Sequence, residues 1–189
     1  MLARLLDERG VPAPRPPRGE PYAALVRAIV GQQLSVFAAR AIYGRLLERF
    51  GGTAPTPQQI LDDEPDELRV AVGLSQAKTA YLRSLAEHVL AGELELDRLE
   101  QLSDDEVIAE LVAVKGIGAW SAHIFLMFTL GRPDVLAVGD LGIRRAIERA
   151  YALPRLPSPT EVTALAEPWR PHRTAACLLL WSSLDNAPA

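Results

Sequence analysis

Two glycines between apolar helical segments are the first residues of this sequence whose spacing could serve chemistry. Gly116 and Gly118 separate a segment that ends near Lys115 from one that begins at Ala119. Glycine permits positive φ and close approach to another molecule. Backbone amides at the start of a helix, together with the helix dipole, attract anions such as phosphate. The structural alternative is a tight helix–helix turn with glycine as its C-cap.

Asp140 lies 22 residues beyond Gly118, at the predicted start of another helix. A carboxylate that caps a helix accepts backbone N–H bonds, which favour its ionised form. Held in this way, it can face a positive charge that develops during a reaction. The structural alternative is an ordinary helix cap. Asp140 therefore indicates a functional site only in combination with the two glycines.

Composition limits the kinds of protein this chain can be. It has 189 residues, of which 49 % are hydrophobic and 23 % charged, which excludes intrinsic disorder as the main state. One cysteine excludes a disulfide scaffold and a four-cysteine metal or iron–sulfur site. The N-terminus has no apolar run, and the longest uncharged stretch, 116–131, is shorter than the roughly 20 residues of a membrane span. We expect a soluble, cytoplasmic protein.

Net charge does not decide whether the chain binds nucleic acid. The sum is −4, but five acids fall in Asp62–Glu67 and eight in Glu93–Glu110. The rest of the chain is therefore basic overall, and contact with phosphates requires only a local basic face.

Helical spacing dominates the sequence, and Val135–Val138 is the one candidate strand, so we predict an all-α fold. A short N-terminal helix and an extended proline-rich segment, Val11–Pro21, come first. Phe37 is predicted to lie on the apolar side of the helix that Ser35 caps. Further helices are predicted to start at Pro21, Ser75, Ser103 and Thr160. The others are predicted over Pro57–Asp63, Pro65–Val72, Gly118 to about Leu130, Leu141–Tyr151 and Trp169–Leu184.

The order of glycine hairpin, apolar helix, Gly131-Arg-Pro133 and Val138-Gly-Asp140 resembles the helix–hairpin–helix DNA glycosylases. Ile29-Val-Gly-Gln-Gln-Leu-Ser35 and Glu167-Pro-Trp-Arg-Pro-His-Arg-Thr-Ala-Ala176 are similar to motifs of the alkylation-repair branch, the DNA-3-methyladenine glycosylase II type. Gly73-Leu-Ser-Gln-Ala-Lys78 is less closely similar to a further segment of these enzymes. The resemblance spans about residues 21–182.

The resemblance implies a two-lobed helical fold with the active site in the cleft between lobes. One lobe is expected over residues 21–132, with the hairpin, and the other over 1–20 and 133–189, with the catalytic aspartate. It also implies the short form of the enzyme, without the extra N-terminal β domain, acting as a monomer.

The implied reaction is hydrolysis of the N-glycosidic bond of an alkylated purine flipped out of duplex DNA. Asp140 matches the catalytic aspartate, and Gln33 with Leu34 matches the wedge that fills the gap left in the stack. The other implied site residues are Trp120, Trp169 and Tyr22 in the base pocket and Gly116, Gly118, Lys115, Arg144 and Arg173 at DNA phosphates. Backbone carbonyls of Val112, Val114 and Ile117 match those that hold a monovalent cation, Na⁺ or K⁺, in related enzymes; no other cofactor is implied.

Trp120 stands where glycosylases that also cut the DNA backbone carry a lysine, so the resemblance implies a monofunctional enzyme without lyase activity. Two alternatives stay open: a glycosylase for a different damaged base, and a noncatalytic DNA-binding module that reuses the hairpin. Asp140 speaks against the second, since phosphate binding gives no reason to place a carboxylate near DNA.

Overall fold

The computed structural model describes residues 7, 10 and 19–184, and within them every regular element is helical. The short N-terminal helix and most of the extended segment predicted for Val11–Pro21 lie outside the described residues. The α-helices are α1 (Pro21–Gly31), α2 (Val36–Arg49), α3 (Pro57–Asp62), α4 (Pro65–Val72), α5 (Gln76–Leu90), α6 (Asp104–Ala113), α7 (Ala119–Phe128), α8 (Leu141–Ala150), α9 (Pro159–Ala166) and α10 (Arg173–Ser183). Two 3₁₀ helices cover Leu96–Gln101 and Glu167–Trp169.

The described residues divide into two compact units, one of residues 19–125 and one of residues 7, 10 and 126–184, and the division between 125 and 126 falls within α7. In the first unit α5 packs against α1, α3 and α4, and α2 packs against α1 and α4. Leucine and isoleucine fill its core, which the low aromatic content requires. The fully buried members include Leu25, Ile29, Leu46, Ile60, Leu82, Leu85 and Leu111.

In the second unit α8 packs against α9 and α10. Trp181 of α10 stacks on Phe128 with the ring centroids 6.2 Å apart. The centre of α10 is buried from Ala176 to Trp181 except for Leu178, as expected for a helix that is apolar on every side. Within that centre, burial raises the pKa of Cys177 to about 12, which leaves its thiol unreactive at neutral pH.

Local capping rules account for the helix starts. Thr56, Ser103 and Ser158 each form a capping box with Gln59, Glu106 and Glu161, respectively. The all-α prediction is confirmed, and no residue of 135–138 is a strand.

Three details of the sequence interpretation were wrong. Phe37 does not lie on a buried face: 85 % of its surface is exposed, because it sits on the first turn of α2 beside an exposed loop. The last helix begins at Arg173 rather than Trp169, because the ring of Pro171 disfavours helical backbone at the residue before it, and Arg170 is accordingly extended with ψ 141°. The helix predicted from Thr160 begins at Pro159, because Ser158 supplies the cap.

No helix in the described part of the chain is long and apolar enough to cross a membrane. Across the same residues, no group of three or more His, Cys, Asp or Glu side chains is arranged to hold a metal ion.

Candidate functional site

The glycine hairpin joins α6 to α7 through a tight turn. The Ile117 amide donates to the Val114 carbonyl at 3.0 Å, and the Ala122 amide donates to the Gly118 carbonyl at 3.1 Å. Gly118 therefore stands at the N-cap of α7, whose first-turn amides point out of the helix end. Lys115 and Gly118 are exposed at this turn. The arrangement is suited to binding an anion.

The fold places different requirements on the two glycines of the hairpin. Gly116 has φ +92°, and a β-carbon on it would lie 2.1 Å from Cγ of Tyr81, so the fold itself requires glycine there. Gly118 has no heavy atom within 4 Å of its would-be β-carbon and does not adopt positive φ. The fold alone therefore leaves Gly118 replaceable, and its small size matters only toward something that approaches from outside.

The predicted wedge lies in the loop between α1 and α2. Gln33 adopts φ +56°, which is uncommon for a residue other than glycine, and its side chain is exposed. Leu34 is 38 % exposed and its amide donates to the Gly31 carbonyl at 3.3 Å. Gln32, just before them, donates from Nε2 to the Gly116 carbonyl at 2.8 Å. The structure thus brings the predicted wedge loop to the hairpin.

Asp140 is the N-cap of α8, as the sequence predicts. Its Oδ1 accepts the Ile143 amide at 2.7 Å and the indole Nε1–H of Trp181 at 2.9 Å. Its own amide donates to the Ala137 carbonyl at 2.9 Å. Two donors on one carboxylate oxygen fix the rotamer of a half-buried carboxylate, which is the requirement for stabilising charge at a defined position.

Trp181 is a candidate site residue that sequence reasoning missed. Its place in the apolar centre of α10 indicates a core residue, and it is indeed only 3 % exposed, but its N–H donates to the candidate catalytic carboxylate. Only a general rule could have indicated this contact from the sequence: the N–H of a buried tryptophan usually donates a hydrogen bond. Gly142 leaves room for this pair, since a β-carbon there would lie 3.0 Å from Oδ1 of Asp140 and 3.3 Å from the Trp181 ring.

We expect Trp181→Phe to lower the single-turnover rate of the chemical step about tenfold or more, because a hydrogen bond to a charged group contributes roughly 1.5–3 kcal/mol. Affinity for DNA should stay unchanged. Leu180→Val, at a buried neighbour in α10 whose side chain is purely apolar, controls for lost packing volume. Equal rates in Trp181→Phe and Leu180→Val, both assayed below their melting temperatures, would contradict a positioning role.

The three predicted pocket aromatics occupy different surroundings. Trp120, on the first turn of α7, is 45 % exposed, and Trp169 is half-buried in the second 3₁₀ helix. Tyr22 is 3 % exposed, and burial raises the pKa of its hydroxyl. It lines a cavity of about 800 Å³ whose walls come from segments 54–57 and 94–98 rather than from the hairpin. Its burial favours a packing role.

The predicted phosphate-binding arginines are held by protein groups. Arg173 donates from Nε and Nη2 to the Asp134 carboxylate at 2.8 and 3.0 Å, and Arg170 reaches the same carboxylate at 2.8 Å. Burial acts to raise the pKa of Asp134, but hydrogen bonds from Arg173 and the charges of both arginines outweigh it and lower that pKa. Arg144 donates from Nε to the Pro157 carbonyl at 2.8 Å, while Arg145 is exposed.

The three carbonyls suggested for a monovalent cation belong to the hairpin backbone. Val114 and Ile117 are buried, whereas Val112 is 44 % exposed. The Val114 carbonyl already accepts the Ile117 amide. A carbonyl oxygen has two lone pairs, so the donor set remains compatible with an ion at this turn.

The known proteins that this chain matches include several named as 3-methyladenine DNA glycosylases. The chain is 38 % identical over 166 residues to DNA-3-methyladenine glycosylase 1 of Schizosaccharomyces pombe, covering 87 % of this chain and 72 % of that protein. The crystal structure of a DNA-3-methyladenine glycosidase from Bacillus halodurans matches with TM-score 0.85 and 39 % identity, over 96 % of this chain and 83 % of that one. Schizosaccharomyces pombe Mag1 in complex with abasic DNA matches with TM-score 0.85 and 36 % identity, over 97 % and 90 %.

The family assignment rests on the whole described arrangement rather than on one motif. The match extends from α1 through the predicted wedge loop, the hairpin and Asp140 to the segment before α10. The model of the HhH-GPD superfamily of base excision DNA repair proteins covers residues 26–171, and this chain belongs to that superfamily.

Proposed function

We propose that this protein is a monofunctional DNA glycosylase that removes alkylated purines, of the 3-methyladenine and 7-methylguanine type, from duplex DNA during base excision repair. The observation that carries the proposal is the carboxylate of Asp140, held at the start of α8 by the Ile143 amide and the Trp181 indole. The relatives named as DNA-3-methyladenine glycosylases support the substrate class.

The proposed reaction adds water across the N-glycosidic bond and yields a free base and an abasic site. Breaking this bond builds positive charge on the deoxyribose, and the ionised Asp140 would stabilise that charge. The same carboxylate would orient or deprotonate the attacking water. An alkylated purine is already electron-poor and leaves with little help from an acid, so one carboxylate is sufficient.

Aromatic rings would bind the flipped base. Trp120 supports this role because nearly half of its surface is exposed at the start of α7, where a ring is accessible to a ligand. Stacking and cation–π contact favour an electron-poor or cationic purine over a normal one. Trp169 is the second pocket candidate, and Tyr22 the weakest.

The position of Trp120 also supports hydrolysis without strand cleavage. A lyase needs an amine there to form a Schiff base, and tryptophan has none. Lys115 is exposed on the other side of the two glycines, where contact with a phosphate is the more fitting role.

DNA would be held through its backbone at the hairpin and through its base stack at the wedge. Gly116 and Gly118 would present amides to a phosphate, with Lys115, Arg144 and Arg173 as cationic contacts and Gln33 or Leu34 in the gap. For Arg173 two of the three guanidinium nitrogens already serve Asp134. A Na⁺ or K⁺ ion on the carbonyls of Val112, Val114 and Ile117 would add positive charge beside the phosphate. We also propose a cytoplasmic location, associated with the nucleoid if the source is bacterial.

The direct test is release of free bases from methylated duplex DNA. We expect methylated purines among the products and DNA breaks only after alkali treatment, which cleaves abasic sites. Breaks before alkali would contradict the monofunctional assignment. Release of a different damaged base alone would move the substrate class, and DNA binding with no release from any damaged duplex would favour the noncatalytic alternative.

A further inference from the structure

Gln32 links two segments that are far apart in the chain. Its side-chain amide donates to the Gly116 carbonyl at 2.8 Å across 84 positions, within the compact unit 19–125. Gln32 directly precedes Gln33 and Leu34 of the wedge loop, and Gly116 is the first glycine of the hairpin. One hydrogen bond therefore connects the two elements that the proposed function assigns to the DNA stack and to a DNA phosphate.

The hairpin side of this link is held rigidly. Gly116 adopts φ +92° with the Tyr81 ring directly against its α-carbon, since a β-carbon there would meet three ring atoms at 2.1–2.6 Å. The ring limits how the Gly116 peptide can rotate. Its carbonyl thus faces Gln32 because of tertiary packing, and not because the turn alone orients it.

The wedge side is held by the same helix that supplies Tyr81. Lys78, one turn earlier in α5, donates from Nζ to the Val30 carbonyl at 2.7 Å near the end of α1. Residues three apart share a helix face, so α5 braces the end of α1 with Lys78 and the hairpin with Tyr81. Gln32 joins the two braced segments directly. This also gives a structural role to Lys78 of the Gly73–Lys78 motif, which the proposed reaction does not use.

We propose that Gln32 is a positioning residue for base flipping: its hydrogen bond to Gly116 fixes the wedge loop relative to the phosphate-binding hairpin. The inference rests on the proposed function. Flipping a base costs unpairing and unstacking, and the wedge offsets that cost only if it enters the stack at the nucleotide that the hairpin aligns. A loop free to shift would lose this registration while the hairpin still held a phosphate.

The test compares a duplex with 7-methylguanine opposite cytosine to one with the same base opposite an abasic site, where less pairing has to be broken. Gln32→Met removes the donor and keeps the side-chain length. We expect its single-turnover excision rate to fall about fivefold or more on the paired substrate, the size expected from one lost hydrogen bond. On the other duplex the rate should change much less. Gln58→Met is the matched control, because Gln58 is an exposed glutamine bonded to Asp62 within α3.

An equal rate loss on both duplexes, or no loss on either, would overturn the proposal. Gln32→Asn, which keeps the amide but shortens its reach, should give the same substrate-dependent pattern and serves if Gln32→Met does not fold. A 2-aminopurine placed beside the lesion reports flipping without excision. Suppose that the wild type flips the base, that Gln32→Met flips it less, and that neither protein releases it. This result would support the role of Gln32 and contradict only the proposed catalysis. If the wild type shows neither flipping nor release, the positioning role is overturned as well.

Discussion

Asp140→Asn is expected to lower the rate of base release at least about 100-fold, while the protein still folds and still binds DNA. Asparagine keeps an Oδ1 that can accept both the Ile143 amide and the Trp181 indole, and it caps helices as well as aspartate does. The substitution therefore removes the negative charge with little change in shape. Losing a preorganised charge that stabilises a transition state costs rates of this order. The measurement is single-turnover release of methylated purines together with DNA affinity and thermal melting.

Two further variants sharpen this result. Asp140→Ala removes the cap as well as the charge and should also lower the free energy of unfolding by about 1–2 kcal/mol. Asp62→Asn deletes one exposed carboxylate from α3 and should leave excision unchanged. Excision by Asp140→Asn at a rate near that of the wild type would falsify the catalytic assignment, whatever its melting temperature.

Gly116→Ala is expected to destabilise the protein strongly, and Gly118→Ala is expected to leave stability within about 0.5 kcal/mol. At Gly116 the new methyl group would overlap the root of the Tyr81 ring, at 2.1 Å from Cγ, on a backbone with φ +92°. Overpacking costs about 1–3 kcal/mol and a left-handed conformation for a residue with a β-carbon about 1–2 kcal/mol. Chemical denaturation of both variants measures the difference.

The same pair separates folding from binding. Gly118→Val should fold and yet bind duplex DNA more weakly, because its side chain would extend outward where the proposed phosphate approaches. Gly116→Ala made in a Tyr81→Ala background should cost less than in the wild type, since the clashing ring is gone. Unchanged DNA affinity in Gly118→Val would refute the phosphate-binding role of the second glycine.

Sequence patterns with a short range predicted most of the fold. Within the described residues, capping residues, glycine stops and helical spacing predicted the α-helices, whereas some helix ends, one helix face and the 3₁₀ helix Leu96–Gln101 were not predicted correctly. Phe37 shows why: an apolar residue near a helix start fits the spacing of a buried face, but burial depends on whether another element covers it. Pro171 shows the reverse, a local signal that we read past in extending the last helix to Trp169.

The amino-acid sequence by itself determined the helical elements, the glycine hairpin and the aspartate that caps α8. Each depends on residue type and on neighbours within a few positions. Tertiary structure decided which of these residues act together: Trp181 reaches Asp140 across 41 positions and Gln32 reaches Gly116 across 84. It also separated Gly116, which the fold requires, from Gly118, which it does not. Such hydrogen bonds and steric limits exist only once distant segments are packed at contact distance, and no local pattern encodes that distance.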